Sequence, residues 1–507
     1  MQGEVIVSLS IYMIAMLAIG YYSYRRTTNI SDYMLAGRGL GPAVTALSAG
    51  ASDMSGWMLM GLPGAMYASG LSSAWLSIGL CIGAYCNYLL LAPRFRVYTE
   101  IAEDSITIPD YLENRFQDRS NLLRLVSGLV ILVFFTLYVS SGMVSGGTLF
   151  ESAFGLNYTT GLLVTVAVVV CYTLFGGFLA VSMTDFVQGC IMFVALILVP
   201  IVALTHVGGT HTMTEDIRSI NPHLLNLFTG TSVIGILSLI AWGLGYFGQP
   251  HIIVRFMAIK STRELRTARR IGMSWMIISI IGAMAVGLIG ISYFSHHGGS
   301  LKNPETVFIE FADILFNPLI TGFILAAVLA AIMSTISSQL LVSSSAVTED
   351  FYKTFFRRSA SDKELVFIGR GAVLLIALIA IGLSYTSQSI LDIVSHAWAG
   401  FGSAFGPVIL LSLYWKRMTR WGALAGMMVG GLTVIFWLNI SHLPLPHFMD
   451  WAQTNIYEMI PGFILGLIAL IVVSLLTKAP EKEVSDQFAA MQTKLKADLA
   501  PSHKTKS

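Results

Sequence analysis

Asp53 is the only acid well inside a long apolar stretch of this chain, and its neighbours are small or carry hydroxyls: Ala51-Ser-Asp-Met-Ser-Gly-Trp57. It lies about 18 Å into the stretch 41–68 at 1.5 Å per helical residue, near the middle of a bilayer. An ionisable group at that depth is costly and functional by default. A carboxylate there offers a cation either a ligand or a negative potential, and it can also hold a helix break in place. A second oxygen-rich group is Ala331-Ile-Met-Ser334-Thr335. The Ala331 carbonyl and the Ser334 and Thr335 hydroxyls share one helical face, and hard cations prefer oxygen ligands. Hydroxyls in membrane helices also bond back to their own backbone. Trp57, Tyr138, Trp242 and Tyr246 add rings with one polar tip, suited to enclosing a small, partly apolar solute or to packing a core.

These residues need elements to hold them, and composition says where those elements lie. The chain has 507 residues, 55% hydrophobic and only 11% charged, with mean hydropathy +0.73. Soluble domains carry about 25% charged residues, so this is an all-α polytopic membrane protein set in a lipid bilayer. A net charge of +2 argues against a nucleic-acid surface. Nothing marks an obligatory protein partner. Cys81, Cys86, Cys171 and Cys190 form no CxxC pair, which leaves neither a zinc site nor a disulfide framework.

A crossing needs about 20 apolar residues. Thirteen stretches qualify: 5–24, 41–68, 72–93, 123–150, 159–178, 184–206, 230–254, 271–294, 318–346, 366–385, 390–415, 421–440 and 457–477. The first is followed by Arg25 and Arg26 rather than a small-residue cleavage site, which makes it a retained span. With the N-terminus outside and the C-terminus inside, 28 of the 30 Lys and Arg fall on the cytoplasmic side and only Arg218 and Lys302 outside. That is the positive-inside pattern.

Span two is interrupted at Ala51–Trp57 and span seven at Trp242-Gly-Leu-Gly-Tyr-Phe-Gly-Gln-Pro250. They are five spans apart and run in opposite directions, which predicts an inverted repeat of spans two to six and seven to eleven. Unwound backbone at membrane depth lines a cavity or binds something. The expected division is 1–40 (first outer helix and loop), 41–206 and 207–415 (the two repeats), 416–477 (outer helices) and 478–507 (a solvated tail). Asp185, Asp392 and His396 read as helix-end or gating residues, and Gly422, Gly426 and Gly430 as a packing face. No P-loop, HExxH or nucleophile–base constellation is present, so no residue is expected to be catalytic.

Four stretches resemble the sodium:solute symporter family: Thr45–Trp57, Trp242–His251, Ala331–Thr335 and Ala397–Pro407. The likeness extends over nearly the whole chain and is strongest to members that carry proline. It implies a five-plus-five repeat of the leucine-transporter type, with sodium held by the carbonyls of Ala51, Met54 and Ala331 and the hydroxyls of Ser334 and Thr335. Asp53 would support that site. L-proline would lie against Trp57, Tyr138, Trp242 and Tyr246, with Ser55, Gly56, Gln249 and Pro250 closing the two breaks around it. The implied activity is sodium-coupled import of L-proline across a bacterial cytoplasmic membrane by alternating access. A different solute (pantothenate, a sugar, another amino acid), a channel and a non-transporting proline sensor are the alternatives.

Overall fold

The computed structural model describes residues 2–26, 30–175, 177–297, 299–385, 389–442 and 447–500, and it is helical almost throughout. The helices that position the site are α1 (Gln2–Tyr24), α2 (Pro42–Asp53), α3 (Leu62–Ser69), α4 (Ala74–Cys86), α5 (Leu122–Phe154), α6 (Phe178–Val207) and α7 (Val233–Ala241). They continue with α8 (Pro250–Ala258), α9 (Leu265–His296), α10 (Pro318–Ser345), α11 (Ile390–Tyr414), α12 (Arg420–Leu438), α13 (Met459–Leu476) and α14 (Lys482–Leu499). Among the described residues the only extended pairing is between Leu40 and Ile259. There the Leu40 N–H donates to the Ala258 carbonyl (3.1 Å) and the Lys260 N–H to the Leu40 carbonyl (2.9 Å), tying the start of α2 to the end of α8.

The described residues of all thirteen expected stretches are mainly helical, and among the described residues ten helices are long and apolar enough to cross a membrane, or eleven counting the bent pair Val233–Gly248 and Pro250–Ala258. The breaks account for the difference. Span two is split after Asp53, and its outer half runs on through a tight turn into span three, so 57–101 is one continuous run. That turn needs Gly70: its φ is +67°, and a Cβ there would sit 2.2 Å from the Leu224 carbonyl oxygen. The stretch after Tyr158 is a shorter apolar helix over Tyr158–Cys171.

Helix starts follow ordinary capping. Ser232, Asn317, Ser389 and Thr419 each accept a backbone N–H from the first turn of the helix they precede, which satisfies a donor the helix cannot. The second break forms because Trp242–Gly248 winds into a tight 3-10 turn, Gln249 is extended (φ −84°, ψ 106°), and Pro250 opens α8 at a position where no N–H is needed. The two arms meet at 44°. This break lies directly on α4: a Cβ at Gly83 would come within 2.2 Å of the Gly243 carbonyl oxygen. α2 sits at the centre, packed by α6, α8, α9 and α10.

One expectation is met within the chain and one changes. The glycine face of α12 packs inside the chain, against Ser474 and Leu470 of α13 and the Ser403 backbone of α11. Within the tail, expected as a solvated segment, Lys482–Leu499 is a helix that docks by one face. Val484, Phe488, Met491 and Leu495 recur at helical spacing and bury one face of α14, with Lys494 paired to Glu100 and Asp498 accepting from Thr262 (3.2 Å). The four cysteines are unpaired, with Cys81 and Cys86 partly buried and Cys171 and Cys190 exposed.

Candidate functional site

α2 ends at Asp53 because Met54 leaves helical geometry (φ −79°, ψ 71°). The freed Asp53 carbonyl is not orphaned: it accepts the Ser55 N–H (2.9 Å) and the Trp57 indole N–H (3.1 Å). Trp57 thus clamps its own break, and its ring is fully buried. The Ser55 hydroxyl accepts the Trp57 N–H (3.4 Å). Gly56 faces α5, where a Cβ would lie 2.2 Å from the Ser145 hydroxyl.

On the α10 side the structure brings four expected residues together. The Ser334 hydroxyl donates to the Ala51 carbonyl (2.7 Å) and also reaches the Ala331 carbonyl (3.1 Å), while the Thr335 hydroxyl lies 3.4 Å from the Ala51 carbonyl. All four are buried. Met54 is the next residue along the break. Two carbonyls and two hydroxyls therefore converge where α2 stops being helical, an all-oxygen set of the kind hard cations choose.

The Asp53 carboxylate turns to the other break, where the Tyr246 hydroxyl donates to Oδ2 (2.5 Å). Tyr246 packs edge-on to Trp398 (5.1 Å), whose indole N–H donates to the Trp242 carbonyl (2.8 Å). Trp242 stacks on Tyr457 (5.3 Å, 16°). Gln249 donates to the Trp398 carbonyl (3.1 Å).

Several buried polar atoms here have no hydrogen-bond partner: Asp53 Oδ1, the Tyr138 hydroxyl, Gln249 Oε1 and both ring nitrogens of His251. Each such atom costs about 1–3 kcal/mol, and native interiors hold few of them. Those between the two breaks are donors and acceptors that a polar ligand or a water would pair. A cavity of about 30 Å³ beside Gly50, Asp53, Asn87, Tyr246 and Met276 has room for about one water. Pro250, between Gln249 and His251, also lines a separate cavity with Phe178, Leu341 and Asp350.

A buried network between the early turns of α6 and the end of α8 escapes the reading of Asp185 as a helix-end residue. Arg255 of α8 pairs with Asp185 of α6 (3.1 Å), and both are buried. Ser48 donates to the same carboxylate oxygen (2.8 Å), and Arg255 donates to Ser48 (3.0 Å), to Ser338 (2.6 Å) and to the His251 carbonyl. Four helices (α2, α6, α8 and α10) meet at this pair. The sequence signal was a lone acid and a lone base near the same ends of two spans, which spacing alone does not join. His396, by contrast, reaches Glu458 (2.7 Å) near the other face.

Residues 33–430 match the sodium:solute symporter family. The chain belongs to that family. It is 64% identical over 497 residues to the osmoregulated proline transporter OpuE of Bacillus subtilis, covering 98% of this chain and 99% of the relative. It is also 64% identical over 474 residues to the high-affinity proline transporter PutP of the same organism (93% and 98% covered). The sodium/proline symporter of Staphylococcus aureus is 54% identical over 479 residues (94% and 93%). Among solved structures the fold is shared with an outward-open Na+-coupled sialic acid symporter at TM-score 0.79 and 19% identity, over 94% of this chain and 99% of that one. The nucleobase-cation-symport-1 transporter Mhp1 follows at TM-score 0.55 and 13% identity, over 91% and 99%. The family member is thus a transporter by lineage and not an enzyme, and its fold is the interrupted-helix architecture expected from the paired breaks.

Proposed function

We propose that this protein imports L-proline together with sodium across the bacterial cytoplasmic membrane, with the N-terminus outside. The observation that carries the reading is the pair of breaks: an all-oxygen cluster at the first, and unpartnered polar groups gathered between the first and the second. The names of the relatives above favour proline as solute, and the family favours sodium as coupling ion. Ala51, Met54, Ala331, Ser334 and Thr335 hold sodium, and Asp53 supports them from the same break through Tyr246. Proline occupies the compartment bounded by Tyr138, Trp242, Tyr246 and Gln249, with Ser55, Gly56 and Trp57 fixing the backbone beside it. Pro250 shapes the second break rather than touching the solute.

Sodium binding from outside orders the end of α2, and that pre-forms the solute compartment. Sodium then raises proline affinity, and by linkage proline raises sodium affinity by the same factor. The repeats 41–206 and 207–415 rock around the fixed site and expose both ligands inward. Proline is zwitterionic, so a cycle with one sodium moves one net charge and gains about 2.3 kcal/mol per 100 mV of membrane potential. Binding of labelled proline to the purified protein tests the reading directly. Affinity should rise with sodium and not with potassium, and sodium affinity should rise with proline by an equal factor. Proline binding indifferent to sodium would contradict it.

A further inference from the structure

Much of α13 presents an apolar surface outward, with Ile464, Leu465, Ile468 and Val472 all exposed. The residues leading into it turn the other way. Tyr457 is 9% exposed and packs onto the second break, where its ring stacks on Trp242 at 5.3 Å and 16°. Ring pairs of this kind attract each other beyond the area they bury, and near-parallel planes leave little freedom in the angle between them.

Both donors of Tyr457 are used to hold that ring in place. Its hydroxyl donates to the Ser395 carbonyl of α11 (2.9 Å), and its N–H to the Ser238 hydroxyl of α7 (3.1 Å). Ser238 in turn donates to the Asn455 carbonyl (3.3 Å). The next residue, Glu458, pairs with His396 of α11 (2.7 Å). Segment 455–458 therefore ties α13 to the first arm of the second break and to α11. The Trp242 backbone is held separately, because its carbonyl accepts the Trp398 indole N–H (2.8 Å). That bond leaves the Trp242 side chain free to rotate, and the Tyr457 ring restrains it. A side chain that must be ordered on binding weakens affinity, and a ring fixed beforehand avoids the loss.

We propose that Tyr457 is a positioning residue for the solute: it fixes the plane of the Trp242 ring that the solute meets. α13 then belongs to the transport machinery although it lies outside the two proposed repeats. The proposal rests on the symport reading above, in which Trp242 bounds the proline compartment. Tyr457 acts through Trp242 and does not itself touch the solute. The oxygen cluster at the first break lies outside this set of contacts, so the effect falls on the solute and not on sodium.

Equilibrium binding to the full chain in detergent tests this, with labelled L-proline at saturating sodium and with labelled sodium in the absence of proline. Tyr457→Leu removes the ring and its hydroxyl, whereas Tyr457→Phe keeps the ring and loses only the bond to Ser395. Tyr457→Leu should raise the Kd for proline roughly three- to tenfold with sodium affinity unchanged, and Tyr457→Phe should recover most of that loss. A protein that is merely less well folded would bind fewer molecules of proline at the original Kd. An original Kd in Tyr457→Leu, an equal loss in both variants, or a matching loss of sodium affinity would overturn the assignment. If Tyr457→Leu does not insert, Tyr457→Met, which fills the space without a flat ring, decides by the same criteria. Sodium-dependent proline binding in the unmodified protein with unaffected variants overturns this inference only, whereas proline binding indifferent to sodium in the unmodified protein overturns the parent reading with it.

Discussion

Asp53 carries the heaviest demand at the scale of single residues. Its carboxylate is buried 2.5 Å from the Tyr246 hydroxyl, in the same break whose Ala51 carbonyl receives Ser334 and Thr335. A hydrogen bond to a charged group is worth about 1.5–3 kcal/mol, so Asp53→Asn should lower sodium-stimulated uptake by roughly 10- to 150-fold while the protein still inserts. Tyr246→Phe should reproduce part of that loss. Normal sodium dependence in either variant, read from uptake against sodium concentration, would remove the pair from the mechanism. Ser334→Ala and Thr335→Ala each remove one neutral oxygen, about 1 kcal/mol, and should raise the half-saturating sodium roughly fivefold. A change in solute preference alone would contradict their place on the cation. Asp53, Ser334 and Thr335 were legible in the sequence because a charge or a hydroxyl pair at membrane depth has few reasons to exist. His251, Asn87 and Trp398 were not: buried rings and amides look alike until their partners are known.

Elements explain why those residues meet. Glycine-rich stretches at matching places in two oppositely directed spans pointed to paired breaks, and the breaks are there. Their mutual packing was not readable, because it depends on which backbone lies against which. Gly83 illustrates this. Its α-carbon is covered by the Gly243 carbonyl of the second break, and backbone cannot swing aside as a side chain can. Gly83→Ala should therefore destabilise the fold by about 1–3 kcal/mol, as overpacking does, and lower the midpoint of thermal unfolding in detergent. An unchanged midpoint would mean that α4 and the break separate easily. The Arg255–Asp185 pair acts at the same scale, since it pins α8 to α6 through Ser48 and Ser338. Breaking a buried pair from one side costs about 3–5 kcal/mol, so Asp185→Asn should be recovered more fully as protein than Asp185→Leu. The asparagine keeps acceptors for Ser48 and Arg255. Equal recovery of the two would show that the pair is dispensable to folding.

For the whole molecule, charge distribution gives the proposed orientation, and hydropathy marked the long apolar helices. Hydropathy missed the continuity between stretches, because it cannot tell a broken or turning helix from a straight one, as at Asp53 and Gly70. It also missed the docked tail, whose four buried apolar residues are spaced too widely to form an apolar run. The account makes the whole molecule a machine that moves one net charge per proline. Adding proline in the presence of sodium should then produce an inward current in planar or supported membranes, and proline without sodium should produce none. Electroneutral uptake would contradict a single uncompensated sodium.

The most direct measurement is accumulation of radiolabelled L-proline in proteoliposomes, with and without an inward sodium gradient, with each other amino acid in excess as competitor. The account predicts accumulation above the external concentration that requires sodium and is blocked mainly by unlabelled proline. Sodium-driven accumulation insensitive to proline would contradict the solute, and proline uptake indifferent to the sodium gradient would contradict the coupling itself.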